Sequence, residues 1–174
     1  MVIDGLGYEF LLKNGKKTAF NENLKGKITS TFPSSTSAAM TGLYLGDSPK
    51  EHGMTGWYMV MKELGTTIVP LPFVDKLNKS PVPDKININE LFNLKPFANK
   101  IKVNSYKIMP NKILNSKFTI AASGKAKRLG YNSLSGMFRQ LKKTINTNSK
   151  KKFIMTYWPD HDSLAHDIGI ENKK

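Results

Sequence analysis

The run from Lys27 to Gly46, Lys-Ile-Thr-Ser-Thr-Phe-Pro-Ser-Ser-Thr-Ser-Ala-Ala-Met-Thr-Gly-Leu-Tyr-Leu-Gly, constrains the fold more than any other part of the chain. Its β-branched first half predicts a strand over Lys27 to Phe32, and Phe32-Pro33 turns the chain. Ala38, Ala39 and Met40 favour a helix from about Ser37 to Leu45, and the Ser/Thr cluster before them supplies its N-cap. Strand, tight turn and helix in that order form a βα unit, so the chain is read as α/β. A hydroxyl at the turn faces the positive end of the helix dipole and the free N–H groups of the first turn, a setting that suits an arriving anion. The same residues also make an ordinary helix cap, and the local pattern alone does not separate the two readings.

Both ends of the chain carry carboxylates at comparable places. Met1-Val-Ile-Asp4-Gly5 reads as a short strand whose C-terminal edge projects Asp4, and that edge is where open α/β sheets bind ligands. Phe153 to Tyr157 reads as a second strand, which runs into Trp158-Pro159-Asp160-His161-Asp162-Ser-Leu-Ala-His166-Asp167. Asp162 and His166 are spaced i,i+4, so one helix face would offer an oxygen and a nitrogen donor, as divalent zinc accepts. A solvated, capped turn is the plainer reading of that segment.

Together these segments resemble the type I phosphodiesterase and nucleotide pyrophosphatase family of the alkaline phosphatase superfamily. Four motifs in family order carry the resemblance: Asp4-Gly5; the Phe-Pro-Ser-x-Thr turn from Phe32 to Thr36; Glu51-His52-Gly53-Met54-Thr55-Gly56-Trp57; and the Tyr-Trp-Pro-x-x-Asp-x-x-x-His element from Tyr157 to His166. The resemblance implies an alkaline-phosphatase-like α/β/α sandwich and a metal-dependent phosphoric ester hydrolase acting on a small phosphate ester. By position it implies Thr36 as the nucleophile and a metal ligand, Asp4 sharing that metal, and Asp162 with His166 holding a second one. Two divalent ions, zinc by the superfamily's habit, would lower the pKa of the threonine hydroxyl and neutralise phosphoryl charge. Thr31, Ser34, Ser35, Ser37 and Thr41 crowd the same turn, and the family spacing favours Thr36 among them. His52 is expected to pack or hydrogen-bond beneath the site, and Asp160 and Asp167 to serve the turn and its caps; His161 is the weaker choice as a ligand.

The family completes its metal sites with a later Asp-His-Gly element and one more histidine, which this sequence lacks; its histidines are His52, His161 and His166. Two protein ligands per metal fall short of the three that tetrahedral zinc usually has. Weak metal binding and little or no hydrolysis by this chain alone are therefore expected. The fold is expected to be incomplete, with its C-terminal part missing and its first strand clipped to Met1-Val2-Ile3, as in a fragment or split gene, and with exposed sheet edges. The alternative is a non-catalytic remnant, or a basic module that binds polyanions.

The net charge of +14 comes from 27 Lys+Arg against 13 Asp+Glu, and only Arg128 and Arg139 are arginines. The lysines are interspersed with asparagines along Lys13 to Lys27, Asn78 to Lys117 and Asn146 to Lys152. That pattern is a Lys/Asn bias rather than a shaped patch; no specific nucleic-acid partner is expected, and any polyanion attraction should fade with salt. Cysteine is absent, which excludes disulfides. No leader pattern or membrane-length apolar run stands in the chain, which is read as cytoplasmic as given.

One domain is expected over 1–174, with an irregular Pro/Asn/Lys-rich excursion at about 71–117. Pro72, Pro81, Pro83 and Pro96, with Pro70 just before them, make Leu71 to Pro96 an irregular connection. Strands are predicted at Met1 to Asp4, Lys27 to Phe32, Ile68 to Leu71, Lys102 to Ile108 and Lys152 to Tyr157, with a weaker one at Phe118 to Ala121. Helices are predicted at Glu9 to Lys13, Ser37 to Leu45, Ile88 to Leu91 and Ser133 to Thr144. In the last of these, Leu134, Met137, Phe138 and Leu141 form a core-facing stripe. Trp57, Tyr58 and Phe73 either pack or offer stacking surface to a base.

Overall fold

The structure is a computed structural model that describes residues 1–147 and 151–170. Residues 148–150 of the Lys/Asn stretch from Asn146 to Lys152 lie outside the described residues. The chain forms two compact units, one of Met1–Thr29 with Tyr157–Lys174, the other of Ser30–Thr156. In chain order the first unit opens with β1 (Val2–Ile3), α1 (Tyr8–Asn14) and α2 (Ala19–Glu22). The second unit follows with α3 (Thr36–Leu45), α4 (Pro49–His52), β2 (Met59–Met61), β3 (Thr66–Val69) and β4 (Val74–Asp75). It continues through α5 (Ile88–Leu91), α6 (Phe97–Lys100), β5 (Asn104–Pro110), α7 (Lys117–Ser123), β6 (Lys127–Tyr131) and α8 (Leu134–Ile145). β7 (Lys152–Trp158) begins in the second unit and ends in the first, where α9 (Asp160–Ile168) follows.

The second unit is built on parallel strands. β5 pairs with β6 on one side, Tyr106 opposite Lys127, and with β7 on the other, Asn104 opposite Lys152. Chain order and spatial order differ, because β7 crosses past β6 to reach β5. Right-handed crossovers, the rule for parallel connections, then send α7 and α8 to opposite faces. Ile108, Met109, Phe118, Ala122 and Met137 are buried in this core, and α8 lies against β5 and β6. The apolar stripe predicted on α8 is only partly buried: Met137 is fully buried, whereas Phe138 and Leu134 stay exposed. A separate antiparallel ribbon joins β2, β3 and β4. In the first unit β1 pairs parallel with the end of β7, Val2 opposite Tyr157 and Ile3 opposite Trp158. This parallel-strand and helix architecture is the α/β class expected, consistent with an alkaline-phosphatase-like fold.

Two predicted strands are absent. Lys27 to Phe32 has no regular structure, and Ile28 and Phe32 are 98% and 96% exposed. A β-branched run becomes a strand only where a neighbour takes up its backbone groups, and this one pairs with none. Phe118 to Ala121 is part of helix α7, because Ser116 caps it by accepting the N–H of Thr119 at 3.1 Å. The prediction also omitted β6, whose Lys-Arg-Leu-Gly-Tyr sequence has little apolar pattern of its own and is held by β5.

Candidate active site

Helix α3 begins at Thr36, one residue earlier than predicted. Ser35 is its N-cap, and its Oγ accepts the N–H of Ala38 at 3.4 Å. Thr36 is therefore the first helical residue, at the positive end of the dipole of a ten-residue helix. The competing hydroxyls are separated by their surroundings. Ser37 and Thr41 are wholly buried, and Thr41 donates to the Met54 sulfur at 3.0 Å. Ser35 is occupied as the cap, and Thr31 donates to the Pro33 carbonyl at 3.3 Å. Ser34 is exposed outside the helix, which leaves Thr36 half-buried at the helix start.

Downstream, Glu51-His52-Gly53 closes the short helix α4. The Ser48 N–H donates to Glu51 Oε2 at 2.7 Å, and this bond holds the Glu51 carboxyl below its usual range. His52 is fully buried, and its Nδ1 accepts the Met54 N–H at 3.1 Å. That bond fixes the neutral tautomer with the proton on Nε2. Burial lowers the His52 pKa, against the opposing pull of Asp47 and Glu51. His52 is thus a structural anchor of its loop, as expected. Phe73, offered as stacking surface, is 1% exposed and packs in the core, whereas Trp57 and Tyr58 remain exposed.

Asp4, Asp162 and His166 belong to the first unit. Asp4 Oδ2 accepts the hydroxyl of Tyr157 at 2.7 Å, and its Oδ1 accepts the N–H of Gly5 at 3.1 Å. Gly5 adopts φ +71°, and a Cβ there would lie 2.9 Å from the Asp162 backbone, so the absent side chain lets α9 approach the Asp4-Gly5 turn. On α9, His166 Nε2 lies 3.5 Å from Asp162 Oδ2, the i,i+4 pair that the spacing implied. Asp160 opens the same helix. His161 sets its ring edge-on to Phe10, with centroids 5.1 Å apart, and packs within the unit.

The donor types suit zinc: carboxylate oxygens and an imidazole nitrogen. Their number does not, since no group of three or more His, Cys, Asp or Glu side chains gathers among the described residues. Asp162 with His166 is a two-donor pair, and Asp4 is committed to Tyr157 and Gly5. The residues present therefore do not complete a metal site. No described helix is long and apolar enough to cross a membrane.

The model of the family "Type I phosphodiesterase / nucleotide pyrophosphatase" matches residues 1–174. Neither the curated proteins nor the solved structures gave a match.

Proposed function

Because the chain belongs to the type I phosphodiesterase / nucleotide pyrophosphatase family, a family of hydrolases that act on small phosphate esters, we propose that Thr36 is the nucleophile of a metal-dependent phosphodiesterase. The observation that carries this reading is the place of Thr36, half-buried as the first residue of the ten-residue helix α3, directly after the Phe32-Pro33 turn. In the proposed step a bond forms between Thr36 Oγ and phosphorus, and the bond from phosphorus to the leaving oxygen breaks. The threonine proton goes to the leaving oxygen; water then attacks phosphorus, the Oγ–P bond breaks, the phosphate product departs and Thr36 regains its hydroxyl proton. The first turn of α3 presents backbone N–H groups and the helix dipole to the phosphoryl oxygens.

A divalent ion held beside the threonine would supply charge neutralisation and a lowered hydroxyl pKa. Asp162 and His166 are the donors that would hold one such ion, and Asp4 would become a ligand only after exchanging its bond to Tyr157. With donor sets this small, zinc affinity and turnover by the chain alone are expected to be low. Zinc-supported hydrolysis of bis(4-nitrophenyl) phosphate by wild-type protein, Thr36→Ala and Thr36→Ser tests the assignment. A slow wild-type rate that disappears in Thr36→Ala and partly survives in Thr36→Ser supports it. A rate unaltered in Thr36→Ala refutes the nucleophile, and no zinc-dependent rate in any protein favours a non-catalytic remnant.

A further inference from the structure

The positive charge of this chain is unevenly placed. Between Leu91 and Pro159 there is no Asp or Glu, while fifteen of the 27 Lys and Arg residues stand in that segment. Remove it, and the rest of the chain is close to neutral. Two lysines of the segment find acids elsewhere in the second unit: Lys100 pairs with Asp47 at 3.3 Å and Lys117 with Asp84 at 2.9 Å. Those at the start of β5 and β6 do not.

There the surface forms a concavity of about 370 Å³, lined by Lys102, Asn104, Ser105, Tyr106, Lys125 and Lys127. All three lysines are exposed, and none pairs with an acid among the described residues. The lining residue Lys125 is held in place by the turn that precedes β6. Gly124 at φ +51° and ψ −129° takes a backbone conformation that only glycine tolerates, and a Cβ there would lie 2.3 Å from Asn99 Oδ1. That same Asn99 oxygen accepts the N–H of Lys125 at 2.8 Å, and Lys125 Nζ donates to the Ile101 carbonyl at 2.7 Å. Lys125 is thereby fixed, with two ammonium protons left for a ligand. The concavity lies at the N-terminal ends of β5 and β6, away from the strand ends at Pro110 and Tyr131.

We propose that this concavity binds a short polyphosphate chain. Three lysines line it without a carboxylate among the lining residues, and Asn104 adds a neutral amide. The lining has no guanidinium fork and a single aromatic ring, whereas strand-binding surfaces use runs of stacking rings along a groove. Its volume accommodates a triphosphate-sized anion rather than several nucleotides. The site is independent of Thr36 and of the proposed hydrolysis, and the test reads binding alone.

Isothermal titration of the intact protein with sodium tripolyphosphate, at low and high salt, is the test. The Lys102→Gln/Lys127→Gln double variant should bind about tenfold more weakly or worse, since each change removes a charge-assisted hydrogen bond. Lys142→Gln/Lys143→Gln, an equal loss of charge from the exposed end of α8, should bind as wild type does. Unchanged thermal melts of both variants exclude a folding defect. Equal weakening in the two double variants would mean a diffuse charge effect and overturn the site. So would wild-type binding to oligothymidylate with none to tripolyphosphate, or binding to neither.

Discussion

Lys107 is 3% exposed on β5, the central strand of the second unit, with no carboxylate paired to it among the described residues. Its Nζ donates to the Ala122 carbonyl near the end of α7 at 2.6 Å and sits 3.6 Å from the centroid of the Tyr44 ring on α3. The charged group that faces it is Arg128, its register partner on β6. Burial first, and the Arg128 charge second, bring the amine from 10.5 down to about 7. At about 1.4 kcal/mol for each tenfold change, that displacement disfavours the charged native state by roughly 4–5 kcal/mol. The sign follows from proton counting: between pH 7 and 10.5 the unfolded chain holds this proton and the native state does not. The contribution of Lys107 to stability must therefore improve as pH rises through that window, by roughly 3–4 kcal/mol between pH 7 and pH 10. Lys107→Met keeps the length and apolar stem without the amine. Urea melts of both proteins across this range isolate the effect, because every other titration is common to the two. The variant should be the more stable at pH 7, less what it loses in contacts to Ala122 and Tyr44, and its advantage should shrink or reverse by pH 10. Parallel stability curves would refute the reasoning and show that the native amine titrates normally.

Two further perturbations probe one position in each unit. His52 has a depressed native pKa, so the stability it protects is complete above its unfolded value near 6.5 and is lost as pH falls below it; His52→Gln should flatten the acid limb of a thermal-melt series, and an unchanged limb would exclude His52 as its source. Gly5→Ala places a methyl group against the Asp162 backbone at positive φ, and should lower stability by roughly 2 kcal/mol in denaturant melts and shift the amide resonances of α9.

How far the sequence could be read depended on where each element's partners lie. The Asp162–His166 pair was legible because i,i+4 spacing needs one helix only, and α3 because its caps and alanines are local. The bond from Tyr157 to Asp4 was not legible; it depends on parallel pairing between the two ends of the chain, 153 residues apart. Short β-branched runs misled twice in the same direction. Ile28 and its neighbours look like a strand but have nothing to pair with, while Thr119 and Ile120 sit in a helix that Ser116 starts. β6 was missed because its strand character is conferred by β5. Among the hydroxyls of the turn, the burial of Ser37 and of Thr41, which bonds the Met54 sulfur, depends on packing that local spacing does not report.

The order of β6, β5 and β7 also has a consequence in time. β5 acquires β6 soon after it is made, since Tyr106 and Lys127 are close in sequence, but its other edge waits for Lys152. At a synthesis rate of roughly 5–20 residues per second, that edge of the central strand stays unpaired for a few seconds on each ribosome. During that interval nascent chains on one polysome present identical open strands to one another, and the excess of lysine charge along the segment opposes their pairing.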